Sequence, residues 1–296
     1  MKAEPNASHA HLFAGGKFRL TMGLMPVAEC DWLEAGPTLG DTLAAKRILL
    51  ETRHDEVFQA LPESDAPAAE LLGLVAAHLS RHHGTKFRRE RDSLFNAVTG
   101  ERWDLAGSPL HPLDLAGRLV TEDLCLLRRV GDRHVLVGAS LCAPAHWRLA
   151  EKLGRPLTAI HAPVPGYEEA LGTPVERLFA GLKPGRIVGR FNWGIADDPE
   201  PFQPSAETPP VRLTEAEAGE KLWLRVERQT LRRLPDTGAV VFTIGTHITR
   251  LDRAIGSAAE ARDLAAAIAD MPEEMQVYKR IAPVAGPLLA WLAAIA

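Results

Sequence analysis

Leu222–Thr249, LWLRVERQTLRRLPDTGAVVFTIGTHIT, is the stretch that sets the fold class of this chain. Its two ends, Leu222–Val226 and Ala239–Thr249, are rich in β-branched and aromatic residues and carry the clearest strand signals in the sequence. Between them, the segment from Glu227 to Gly238 contains Pro235 and Gly238. It reads as a short helix or loop whose Leu231 and Leu234 face inward. Upstream, Arg133–Cys142, Leu157–Ile160 and Gly189–Ile195 are further short apolar runs of strand type. The second half is therefore expected to be mainly sheet.

The first third has a different texture. Thr42–Leu50 and Glu51–Leu61 mix apolar and charged residues at helical spacing, and Ala66–His83 carries a stripe through Leu71, Leu72, Val75, Ala76 and Leu79. His146–Leu153, Pro174–Leu182, Ala258–Ala269 and Glu273–Ile281 also read as helices, and Val284–Ala296 as a helix docked on the core. No regular strand–helix alternation appears, which disfavours a doubly wound nucleotide fold. The expectation is an α+β fold: a mostly antiparallel sheet, a helical N-terminal part and flanking C-terminal helices. Residues 1–17 read as a flexible arm and 18–296 as a single domain.

Bulk composition narrows the function. With 296 residues, 46% of them hydrophobic, the chain can bury a substantial core. Its 34 basic and 38 acidic residues are well mixed, so there is no single-signed surface of the kind that attracts nucleic acid or an anionic membrane. The apolar C-terminal run is shorter than the roughly 20 residues a membrane span needs. Cys30, Cys125 and Cys142 are odd in number and far apart, which fits a reducing cytoplasm and offers no CxxC metal cradle. GxxxxGK[ST], a post-strand GxGxxG, HExxH and GxSxG are absent.

Candidate chemistry gathers in three places. In Ile160-His161-Ala162-Pro163-Val164-Pro165 the prolines fix their own φ angles and favour extended geometry before them. His161 then projects from a stiff rod, either as an axial ligand to a metal or haem or as the partner of a backbone carbonyl. Tyr167 and Glu168 follow as a possible proton donor and acceptor. Arg225, Arg228, Arg232 and Arg233 form the densest cationic cluster, able to clamp carboxylates or to face solvent. Arg190-Phe191-Asn192-Trp193 is the third, a site or a satisfied core network. His247 lies on the strand face opposite Thr246 and Ile248. Helix capping and turns account for His82, His83 and His111.

EDLCLL (Glu122–Leu127), SLCAPAHW (Ser140–Trp147), KLGRPLTAIHAPVPGY (Lys152–Tyr167), RFNW (Arg190–Trp193) and RVERQTLRRLPDTGAVVFTI (Arg225–Ile244) occur together in this order. So do MGLMPV (Met22–Val27) and Trp32. In this the chain resembles the haem-dependent oxidative N-demethylase alpha-subunit family, over about Phe18 to Tyr278. The resemblance implies a PAS-like fold that binds haem b, with O₂-dependent oxidation of a small methylated amine such as dimethylamine. It also implies partner reductase subunits that hold FMN, a 2Fe-2S cluster and tetrahydrofolate. On this reading His161 is the iron ligand, oriented through its other nitrogen by a carbonyl or carboxylate. Arg225, Arg228, Arg232 and Arg233 anchor the propionates, with Asn192 nearby. Tyr167, Glu227 and Trp193 hold the ammonium substrate or polarise oxygen. One departure stands out. The family pattern continues FTI with Arg-Thr-Tyr, where this chain has Gly245-Thr246-His247, and His247 becomes a second ligand candidate. A haem-based sensor without turnover is the alternative reading, and a haem-free relative of the same fold the third.

Overall fold

The structure is a computed structural model that describes residues 9–205 and 211–296. Ten strands appear among these residues: β1 (Met25–Val27), β2 (Phe58–Ala60), β3 (Phe87–Glu90), β4 (Ser93–Asn96), β5 (Glu101–Asp104), β6 (Asp123–Val130), β7 (Arg133–Ser140), β8 (Ile187–Ala196), β9 (Trp223–Arg233) and β10 (Val240–Arg250). Seven form one sheet in the order β1-β8-β9-β10-β6-β7-β2, and every pairing is antiparallel. The polar segments β3, β4 and β5 make a separate three-stranded meander.

The helices begin with α1 (Leu39–Thr52), α2 (His54–Val57), α3 (Asp65–His82) and α4 (Pro112–Leu119). In the middle of the chain come α5 (Leu157–His161), α6 (Thr173–Gly181) and α7 (Ala218–Lys221). The C-terminal part adds α8 (Leu251–Ala254), α9 (Ala258–Ala269), α10 (Glu273–Tyr278) and α11 (Ala285–Ile295). The fold class is α+β, as expected. No helix among the described residues is long and apolar enough to cross a membrane.

Five expectations are corrected. The segment after Val226 does not break: β9 runs on to Arg233 and pairs along its whole length with β10 from Trp223↔Arg250 to Arg233↔Val240. Pro235 and Gly238 instead shape the hairpin turn, where Leu234 and Ala239 share a backbone hydrogen bond. Leu157–Ile160 is helix, not strand, while His146–Leu153 keeps only a 3-10 turn at Leu149–Glu151. Glu51–Leu61 divides into the end of α1, α2 and β2. Of the expected arm, residues 1–8 lie outside the described residues. His9–Leu12 form a 3-10 turn, Phe13 is 1% exposed, and the Phe18 N–H donates to Asp270, so this part is docked.

The large sheet separates two packed layers. Alternation along β9 puts Arg225, Glu227, Gln229, Leu231 and Arg233 on one face and Val226, Arg228, Thr230 and Arg232 on the other. The first face buries Cys125, Leu127, Leu136, Val240 and Ile244 beneath Leu157, Phe179 and Leu182 from α5, α6 and the residue after it. On the opposite face, Leu124, Leu126, Val137 and Val241 pack on α3 and α4 together with Trp32. Further along that face, Leu224 and Val226 pack against Leu264 of α9 and Leu288 of α11.

Candidate functional site

His161 ends α5. Its Nδ1 lies 2.9 Å from the Leu157 carbonyl, and because a carbonyl only accepts, Nδ1 carries the proton. In the neutral ring this leaves a lone pair on Nε2, the atom a metal would take. Burial pushes the ring's pKa down, with Lys152 and Arg190 acting in the same direction, so the neutral form is favoured. The ring stacks on Tyr167 with centroids 4.5 Å apart and planes 8° from parallel. The rod expected from the two prolines is a turn. Ala162, just before Pro163, is helical at φ −51°, ψ −32°, and the Val164 N–H donates to the His161 carbonyl. Local hydrogen bonding outweighs the extended preference before proline here.

The sheet beneath carries a row of polar groups across three strands. Asn192 of β8 pairs with Glu227 of β9, and Glu227 pairs with Thr246 of β10. Glu227 accepts from Asn192 at 3.3 Å, from Gln229 at 3.0 Å and from the Arg225 Nε at 3.4 Å. In the next row stands Arg190, close enough to Glu227, Tyr167 and His161 to interact electrostatically with all three. Its Nε is buried without a hydrogen-bond partner, and so is the Oγ1 of Thr246. Lys279, just past α10, donates to Asn192 Oδ1 at 3.1 Å and to the Trp193 carbonyl at 2.6 Å. Burial pushes its pKa down to about 8. Burial likewise raises Tyr167 to about 12, so the phenol keeps its proton at neutral pH.

The structure thus brings together His161, Tyr167, Asn192, Glu227 and Arg225 from the expected set. The arginine cluster is divided by strand alternation. Arg225 and Arg233 share the face of Glu227, but their donors are occupied: Arg225 by Ala143, Pro201 and Glu227, Arg233 by Leu182, Phe179 and Gly238. Arg228 and Arg232 lie on the other face, on the carbonyls of Asp31 and Trp32 and on Glu29. Trp193 also points away, edge-on to Phe13. His247 is on that far face too, 3.0 Å from Glu34, so it does not share a site with His161. Gly245 lies beside Glu34 on the same side. The Gly245/His247 departure therefore falls on the face opposite the imidazole. Lys279, Gln229 and Thr246 were not foreseen, and Lys279 in particular leaves no local signal because it belongs to a helical segment far along the chain.

A Tyr167-stacked imidazole with its Nδ1 fixed, a part-buried Glu227 carboxylate and an arginine whose Nε is unmatched thus lie close together on one side of the sheet. A family model described as haem-dependent oxidative N-demethylase, alpha subunit-like, matches residues 23–289. The chain belongs to that family, as the recurring motifs indicated.

Proposed function

We propose that this chain binds haem through Nε2 of His161 and uses the Glu227 cluster to hold a small methylated amine for oxidative N-demethylation. The donor set fits the group. His161 has its Nδ1 fixed and its Nε2 lone pair available, and the buried Arg190 Nε lacks the partner that a propionate would provide. Arg190 replaces the Arg225–Arg233 segment as propionate anchor, since every arginine of that segment is already engaged or faces away. The observation that carries the reading is the pinned, Tyr167-stacked imidazole beside this unmatched guanidinium, in a chain of a haem-dependent family.

Bound haem supplies binding and reductive activation of O₂. The rest is protein chemistry. Glu227 is the counter-charge for an ammonium substrate and, with Asn192 and Gln229 as donors, has fixed oxygens from which a proton can be taken or returned. Tyr167 keeps its O–H at neutral pH and stacks on the ligating ring. Lys279, its pKa lowered to about 8 by burial, donates to Asn192 Oδ1 and so orients the amide that donates to Glu227. In balance, the N-methyl carbon leaves as formaldehyde, and O₂ takes two electrons and two protons with release of one water. The electrons come from partner reductase subunits carrying FMN and a 2Fe-2S cluster, with tetrahydrofolate as formaldehyde acceptor. Three separated cysteines cannot supply four cluster ligands, and Cys125 and Cys142 are buried.

Haem-reconstituted protein with an electron donor should consume O₂ when dimethylamine or a related amine is added. A Soret band without amine-dependent uptake would assign the chain to sensing or binding instead. No Soret band at all would remove both readings.

A further inference from the structure

A second cluster of ligand-type side chains lies on the far face of the sheet, and nothing in the proposed chemistry uses it. Helix α3 places His78 and His82 one turn apart, with ring centroids at 4.9 Å. Glu29 comes from the 3-10 turn Glu29–Asp31, and one ligand atom from each of the three residues lies within 4.8 Å of the others. His78 is 3% exposed, and neither ring nitrogen has a partner in hydrogen-bond geometry; the Leu33 backbone, close enough to favour its charged form weakly, is bonded by His83 instead. A neutral imidazole carries one N–H and one lone pair, so burying both unmatched is costly unless something takes the lone pair. The ring meets Trp32 at 5.3 Å with the planes 85° apart, and no hydrogen bond joins the two side chains. His83, the next candidate along the helix, is bonded to the Leu33 carbonyl. Arg232 holds one oxygen of Glu29 at 2.7 Å, an outer contact that fixes the carboxylate while its second oxygen remains for a ligand.

We propose that Glu29, His78 and His82 bind one divalent first-row transition ion of the zinc type. Two imidazoles and a carboxylate match the preferences of such an ion, and a fourth position remains for water. Donor atoms around a tetrahedral zinc stand about 3.3 Å apart, so closing the triad takes side-chain movements of about an ångström. The ion clamps the end of α3 to the turn at Glu29 and, through Arg232, to β9.

The test is Zn²⁺ competition against a chromophoric chelator, using the full-length chain after metal stripping and dialysis. One ion per chain is expected. His82→Asn and Glu29→Gln should each weaken binding about 100-fold or more, since even outer-contact losses cost 10–100-fold. His161→Ala, on the other face, should bind as tightly as wild type. His78→Gln should abolish stoichiometric binding; circular dichroism checks its fold, and if it unfolds, His82→Asn at the half-buried helix end decides the matter. Absence of stoichiometric Zn²⁺ binding, or equal affinity in wild type, His82→Asn and Glu29→Gln, would overturn the assignment.

Discussion

At the residue scale, a few side chains have roles that depend on a single atom. Glu227 is held by three donors on one sheet face, so Glu227→Gln keeps the shape and removes the counter-charge. Haem uptake should be unchanged, while amine-dependent O₂ consumption should fall about 100-fold or more, the usual scale for a proton-transfer group. Equal turnover in the two proteins would remove Glu227 from the chemistry. Glu122, fully buried, is pushed up to about 7 from 4.5, first by burial and then by Glu34. Its folded form holds a proton that the unfolded chain releases above 4.5, so its contribution is fully present below that pH. It is lost as pH rises toward and through about 7. The loss is on the order of 3 kcal/mol. Urea midpoints at pH 5 and pH 8 should show wild type losing stability relative to Glu122→Gln, and parallel behaviour would contradict this. His161, Tyr167, Asn192 and Glu227 could be singled out as candidates from the sequence because their motifs occur together in the order of the family. The pairing of Glu227 with Thr246 and Lys279 was not, because strand register and helix docking are properties of the folded chain.

At the element scale, β9 shows why sequence pattern misleads. Its residues Glu227, Arg228, Gln229, Arg232 and Arg233 look too polar for a central strand, yet each finds a partner. Thr230 and Thr243 bond across the ladder at 2.6 Å. The tertiary setting overrides local propensity. The β3–β5 meander was invisible for the same reason, and α5 because five residues next to prolines carry no helical period. By contrast, α3, α6, β7, β8 and β10 were readable from their apolar spacing. Element packing also makes a prediction. In α4, a Cβ on Gly117 would fall 2.6 Å from the Cβ of Ser140, which is fully buried in β7. Alanine gains up to about 1 kcal/mol of helix propensity, but overpacking against a rigid strand costs about 1–3 kcal/mol. Gly117→Ala should therefore lower the urea midpoint, and adding Ser140→Gly should recover it. A single variant as stable as wild type would show that α4 does not sit this close to β7.

At the scale of the whole molecule, one sheet separates the two proposed sites. The face under α5 and α6 holds the imidazole and carboxylate, while the far face carries the His78 cluster and the C-terminal helices. The alternation of Arg225 and Arg233 with Arg228 and Arg232 is what divides them. The C-terminal layer closes on Leu288 and Leu292, both fully buried, and on Leu264. Leu288→Ala should cost about 2–5 kcal/mol in denaturant unfolding. A cost below 1 kcal/mol would mean that α11 adds little to the core. The α+β class and the order of the main elements followed from the sequence. The side of the sheet taken by each polar residue did not, since one residue of register exchanges the faces.

The most direct test of the central claim is a haem titration of wild type and His161→Gly, followed by absorbance with and without added imidazole. Wild type should show a Soret band, the variant should lack it, and the band should return when imidazole occupies the vacated position. A variant whose Soret band equals that of wild type without imidazole would show that another group holds the iron.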